Sequence, residues 1–369
     1  MEMKRTSVIA AALFLVIALQ TAVHASLDFS PAMELLGGVL SQTTWIENRG
    51  PQGEGNEYFR ALQAFFSEFK GHKAVTIAQE LTKNGFAYDA PPAFICHLGP
   101  LPDLELVYEY SDYLVQRAGS RDKLEEFRLA LRDLAQESNF LGFYAQWEPY
   151  LNACLEPARE GFRSALLIDW LQDFFGWSAS EFQLIVTASM FPAGGYGATV
   201  TGRDGSTIAF QIIREYGRSS AKPEFPTSTS LELLTIHELG HSFVNPCNEQ
   251  YPERTKRLKP LYWPVRKEMR QQAYPSVDIF LNEQVLRGVE VIAAQDLYEP
   301  GTAEAVIASN ENNGFYLTRF VAEQLEHYRA NRETYPTFRD FMPYLYDQLE
   351  TYQKENSSWS DRFFSMFLR

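Results

Sequence analysis

Within Leu233–Pro246, LLTIHELGHSFVNP, two histidines stand four residues apart with a glutamate directly after the first. That spacing is close to one helical turn, so His237 and His241 share a face, while Glu238 is rotated from His237 by about 100°. Such a helix must bury itself through its other positions: Leu233, Ile236, Gly240 and Phe243, or Leu234 with Val244. Its start is read at Thr229-Ser230-Leu231-Glu232, which fits a capping box. Its end is read at Pro246, which disfavours helical geometry at Asn245.

On that face both imidazoles can point at one ion, and Glu238 can reach a water on the ion rather than the ion itself. Metal-assisted hydrolysis needs this division. Zinc held by neutral imidazole nitrogens lowers the pKa of its water to about 7, and an adjacent carboxylate takes the proton as water attacks a carbonyl. Gly240 is expected to let another backbone approach the helix beside the metal. The competing reading is an amphipathic helix carrying two hydrogen-bonded core histidines.

Around this helix the periodicity changes twice. From Ser26 to about Ser180 apolar residues recur three and four apart, as in NEYFRALQAFFSEFK and RDKLEEFRLALRDLAQ, which indicates helices. Between 182 and 216 the chain turns β-branched and turn-rich, and FQLIVTASM, GGYGATVTGRDGS and TIAFQIIREY read as two or three strands. Helical periodicity returns at 229–244, about 277–295, 314–332 and 337–353. The fold class is therefore α+β, mostly helical, with a small sheet of two to four strands preceding the histidine helix. Three segments are expected: 1–25, 26–180 and 181–369.

The first 25 residues combine Lys4 and Arg5, an apolar run from Val8 to Leu19, and small residues ending at Ala25, the pattern of a cleaved export signal. A secreted or periplasmic protein without a stable membrane anchor is expected. Removing Glu2, Lys4 and Arg5 takes the net charge from -14 to -15. With no basic cluster read along the chain, such a surface argues against nucleic acid as a partner. Cys96, Cys154 and Cys247 have no thiolate-metal spacing and are read as structural or inert, although an oxidising compartment would permit one disulfide.

His237-Glu238-Leu239-Gly240-His241 matches the zincin metallopeptidase signature. The longer HELGHSFVNP resembles the helix of an uncharacterised, mostly bacterial secreted family, described as a domain of unknown function and gluzincin-like; the resemblance runs from about Trp170 to Phe341. It implies one zinc ion, a peptide or protein substrate, and a glutamate ligand from a later helix. DIFLNEQVLRGVEVIAA offers Glu283 and Glu290, which share a face. The Asn-Glu pair resembles the gluzincin placement and favours Glu283, with Arg287 as a clamp or oxyanion donor. The metzincin extension is absent, because Val244 and Cys247 stand where it needs Gly and His. His72, His97 and His327 are remote ligand candidates, and Tyr262, Tyr298, Tyr316 and His327 are candidate oxyanion donors. Either GGYGATV or TIAFQIIREY is expected to form the edge that receives an extended peptide.

The expected function is thus a zinc metallopeptidase with His237, His241 and Glu283 as ligands and Glu238 as general base. The alternatives are a non-catalytic zincin-like binding protein and a zinc hydrolase acting on a non-protein amide such as cell-wall material.

Overall fold

The β-branched and aromatic residues of the 181–214 region form most of one mixed sheet. Its strand order is β1 (Leu27–Phe29), β2 (Glu181–Thr187), β4 (Thr207–Arg214), β3 (Gly195–Thr201). β1 runs parallel to β2, with Leu27 opposite Leu184, and β2 parallel to β4, with Leu184 opposite Gln211. β3 closes back antiparallel on β4, from Gly195 opposite Ile213 to Thr201 opposite Thr207. Gly205, at φ +83°, turns this hairpin in a region of backbone space that disfavours side chains. Every residue from Ile208 to Ile213 is buried. Because successive side chains point to opposite faces, β4 is covered on both. β3 is the half-exposed outer strand.

The computed structural model describes residues 25–49, 55–190, 194–216 and 221–367, with side chains for these except residue 49 and those beyond 356. The expected export signal, residues 1–24 of it, lies outside the described residues. Among the described residues no helix is long and apolar enough to cross a membrane.

Helices make up most of the remainder. In the N-terminal half, α1 (Pro31–Ser41) is buried from Ala32 to Ser41. Ser30 caps it by accepting from the Met33 amide at 3.3 Å. α2 (Ser164–Phe175) ends the half, and Phe175 stacks on Phe243 with ring centroids 4.6 Å apart. α3 (Ser228–Asn248) carries the histidines and packs on β3 and β4. α4 (Val277–Leu297) is buried on nearly all sides, as its two-sided apolar pattern requires, and lies between α3 and the later helix Thr318–Ala330. α5 (Thr302–Asn312), α6 (Thr318–Ala330) and α7 (Phe338–Phe367) complete the chain. Buried apolar residues from Leu27 to Leu349 form one continuous core, with no gap at residue 180.

Several boundaries differ from the sequence reading. β1 is a strand inside the expected helical N-terminal segment, added by pairing with β2. The capping box at 229–232 does not form. Thr227 is the N-cap without a side-chain bond, and Glu232 instead accepts from the Arg163 backbone amide at 3.1 Å and from the Tyr298 hydroxyl at 2.7 Å. Glu232 also accepts from the Arg163 side chain, Nε to Oε1 at 2.9 Å, and a buried carboxylate gains more from a guanidinium than from the amide of an exposed cap. α3 also continues through Pro246 to Asn248. Burial of Cys247 and Asn248 in the last turn offsets the helical bond that the proline lacks. Short helices at Pro252–Arg257, Lys259–Tyr262 and Arg266–Gln271, together with α5, carry no strong apolar period and were not foreseen.

Candidate metal centre

The residues of α3 and α4 that the sequence singles out converge. His237 is 5 % exposed, Glu238 5 % and Glu283 4 %. Ligand-type atoms of His237, Glu238 and His241 lie within 4.8 Å of one another. From the facing helix, Glu283 places Oε2 at 3.4 Å from His237 Nε2 and Oε1 at 3.5 Å from His241 Nε2. Those separations are too long for good ring-nitrogen hydrogen bonds, which cluster near 2.9 Å. The two contacts use different oxygens of Glu283, so its carboxylate spans the pair of imidazoles and faces both Nε2 atoms.

The opposite ring nitrogens are already committed. His237 Nδ1 lies 2.7 Å from Glu290 Oε1, and His241 Nδ1 lies 3.1 Å from Asn245 Oδ1. With protons on both Nδ1 atoms, the two Nε2 lone pairs face Glu283 and are free to bind a cation. Glu290, the other candidate ligand, therefore sits behind His237 as its hydrogen-bond partner. Arg287 ties the two carboxylates together, donating to Glu290 Oε1 at 2.8 Å and reaching Glu283 Oε2 at 3.4 Å. Its guanidinium also lies over the Phe315 ring at 4.7 Å. It is thereby placed as a clamp on acids, with its buried Nε left without a hydrogen-bond partner among the described residues.

The electrostatics suit a cation. Burial raises Glu283 and Glu290, but His237 and Arg287 more than compensate, and both carboxyls are held below their ordinary range, Glu283 at about 2. Burial lowers His237 and so does Arg287, yet Glu283 and Glu290 prevail and hold it up at about 10. A proton on His237 thus occupies the charge that a metal ion would supply. His241 is lowered by burial. Burial lifts Glu238 to about 7, and no hydrogen bond is among the causes acting on it.

Glu238 lies directly under β3. A Cβ on Gly195 would come 2.4 Å from Glu238 Oε1, and one on Gly197 would come 2.2 Å from the Glu238 carbonyl oxygen. The close backbone approach expected at Gly240 is therefore made by glycines of the strand; Gly240 itself faces the Leu286 side chain, which a Cβ there would meet at 2.6 Å. Of the two candidate edges, GGYGATV is the outer strand and TIAFQIIREY is central in the sheet.

The remaining candidates lie elsewhere. His72 caps a helix by accepting from the Ala74 amide, His97 Nδ1 pairs with the Tyr108 carbonyl, and His327 stacks on Tyr344 at 4.6 Å. The hydroxyls of Tyr262, Tyr298 and Tyr316 donate to the Tyr274 carbonyl, Glu232 and the Leu261 carbonyl. The three cysteines are unbridged, and Cys247 is buried, its thiol pushed up to about 11 mainly by burial. Two tyrosines that the sequence reading missed do face the cluster. Tyr274 is raised by the charge of Glu283 and by burial. Tyr216 is raised by burial and by Glu238. Nothing in their local pattern separates them from the other tyrosines among 19 in the chain.

The family model described as Domain of unknown function (DUF4932) matches residues 52–347, which extends well before the 170–341 span read from the sequence. Comparisons with the curated proteins and with the solved structures gave no match.

Proposed function

This chain belongs to the DUF4932 family, and we propose that it is a zinc-dependent hydrolase of peptide bonds. One observation carries the reading. Two Nε2 positions and both oxygens of Glu283 converge at 3.4–3.5 Å, while each histidine is fixed from behind by another acceptor. The donor set of two imidazoles and one carboxylate is that of a catalytic zinc site with an open fourth position. His237, His241 and Glu283 would hold the ion, with Glu290, Asn245 and Arg287 fixing their orientation.

When bound, zinc supplies Lewis acidity that makes water a nucleophile near neutral pH and polarises a carbonyl. The chain's own residues do the rest. Glu238 is buried without a hydrogen-bonded partner among the described residues, so its carboxylate is free to accept a proton from the attacking water and return it to the leaving amine. β3 lays its Gly195 and Gly197 face against Glu238 and is an outer strand of the sheet, and an extended peptide adding to its free edge would bring a carbonyl toward the cluster. Tyr274 and Tyr216, whose hydroxyls feel the charges of Glu283 and Glu238, are the candidates for a donor to the developing oxyanion.

The test starts from protein stripped by chelation. Titration is expected to restore one zinc per chain together with cleavage of a mixed peptide library, and His237→Ala to abolish both. Full stoichiometric zinc binding by His237→Ala would refute the ligand assignment.

A further inference from the structure

The acidic chain contains one strongly basic stretch that the sequence reading passed over. Residues 252–270, PERTKRLKPLYWPVRKEMR, hold seven Lys and Arg against two Glu. They fold as three short helices between α3 and α4 and wall a cavity of about 710 Å³. Four cations line it, Lys256, Lys259, Arg266 and Arg270, against two carboxylates, Glu249 and Asp278. Lys256 pairs with Glu253 at 2.6 Å. Lys259, Arg266 and Arg270 are exposed and make no ion pair or hydrogen bond among the described residues.

The position of this cavity relates it to the candidate centre. On α3, residues 237, 241 and 248 fall within about 40° of one another around the helix, so Asn248 lies on the same stripe as the two histidines. It is seven residues beyond His241, about 10 Å along the axis. Asn248 lines the cavity and is hydrogen-bonded to Asn282, which directly precedes Glu283. Ser276, the N-cap of α4, and its first residues Val277 and Asp278 also line it, adding the positive end of a 21-residue helix. Trp263, 58 % exposed, stands at the wall and offers a flat apolar contact.

We propose that this cavity is an anion-selecting subsite for acidic peptides, binding a Glu or Asp side chain about three residues from the bond attacked at the His237–His241 centre. The inference rests on the hydrolase reading for its purpose, but not for its physics. At about 3.3 Å per residue an extended chain covers in three steps the rise of about 10 Å from His241 to Asn248, at the near wall of the cavity. In a chain of net charge -14, unpaired cations gathered in a concave wall create a local positive field on a surface otherwise unfavourable to acidic ligands.

The experiment uses calorimetry on the metal-free full chain with three probes: acetyl-(Glu-Ala)3-amide, its Gln counterpart, and the oligonucleotide dT6. The Glu peptide is expected to bind at least tenfold more tightly than the Gln peptide. Arg266→Glu combined with Arg270→Glu is expected to erase that difference without changing the Gln peptide's affinity or the thermal midpoint. In the zinc-loaded protein, the same pair should lower kcat/KM about tenfold for acidic peptides only. Equal binding of the two peptides, or an unchanged preference in the double variant, would overturn the proposal. Tighter binding of dT6 than of the Glu peptide would also overturn it, in favour of a phosphate-backbone site. Loss of the hydrolase reading, by contrast, would leave the metal-free binding data intact.

Discussion

Two glutamates of this protein are equally buried and equally perturbed, yet they sit in opposite surroundings. Glu34 on α1 and Glu238 on α3 are both lifted to about 7, in each case chiefly by burial. Glu34 is enclosed by donors: it accepts from the Ala188 amide at 2.9 Å and from the Ser189 hydroxyl, and so ties α1 to the turn after β2. Glu238 has charges around it but no donor acting on it among the described residues, and it lies beside two histidines and under an edge strand. A shifted carboxyl thus marks either a structural knot or a reactive group, and the inventory of its partners separates the two.

The largest effect expected to test that contrast is on turnover. Glu238→Gln should reduce hydrolysis by about 10²–10⁴-fold with zinc content and thermal midpoint retained, as expected for a lost general base. Glu34→Gln should leave the rate per folded molecule unchanged. Comparable activity losses in the two variants, measured on protein of verified folded fraction, would erase the distinction.

The next effect is on stability against pH. Glu34 has a folded-state pKa raised from 4.5 to about 7. Below 4.5 both states are protonated and burial carries no titration cost. As pH rises from 4.5 to 7 the unfolded carboxyl ionises first, so stability falls, by up to about 3 kcal/mol, and levels off above 7. Denaturant titrations of zinc-loaded protein should show this fall for wild type relative to Glu34→Gln. A flat difference would mean that the hydrogen-bond donors hold Glu34 ionised throughout.

A smaller effect is expected behind the proposed metal ligands. Glu290→Gln keeps an acceptor for His237 Nδ1 but removes a charge that Arg287 also holds. Zinc affinity should fall roughly ten- to a hundred-fold by competition with a chelating dye, with the fold unchanged. No change in affinity would reduce Glu290 to a partner of Arg287 alone.

The smallest concerns one glycine beside each glutamate. A Cβ on Gly37 would meet the Ser189 hydroxyl oxygen at 2.0 Å, and one on Gly195 would meet Glu238 Oε1 at 2.4 Å. Gly37→Ala should cost about 1–3 kcal/mol of stability by overpacking a fixed network. Gly195→Ala should push an unbonded carboxylate aside, so that stability stays nearly constant while kcat drops. A reversal of these two outcomes in melting and kinetic assays would show that Glu238 is the more rigid group.

Much of the candidate centre was legible because it depends on short-range geometry. His237, Glu238 and His241 lie within five residues, and any helix there places the two rings on one side. Glu283 and Glu290 share a face of one helix, so periodicity could name the pair but not rank them, and Glu283 was favoured only by the resemblance of its Asn-Glu pair. Their ranking needed α3, which puts His237 Nε2 toward one and Nδ1 toward the other. Tyr216 and Tyr274 were illegible for a similar reason, since only the approach of separate elements brings them to Glu238 and Glu283.

Local pattern was enough to set the α+β class, the strands between 181 and 214, and the helix that presents two imidazoles and a carboxylate. These follow from periodicity and residue shape, which act over a few positions. Packing in three dimensions settled which strand is the free edge, that β1 joins the sheet, that Glu232 abandons its cap for Arg163, and that α3 runs past Pro246. Each of these is a competition between a local preference worth about 1–3 kcal/mol and burial or pairing with a distant partner, and the chain's local pattern contains only one side of that balance.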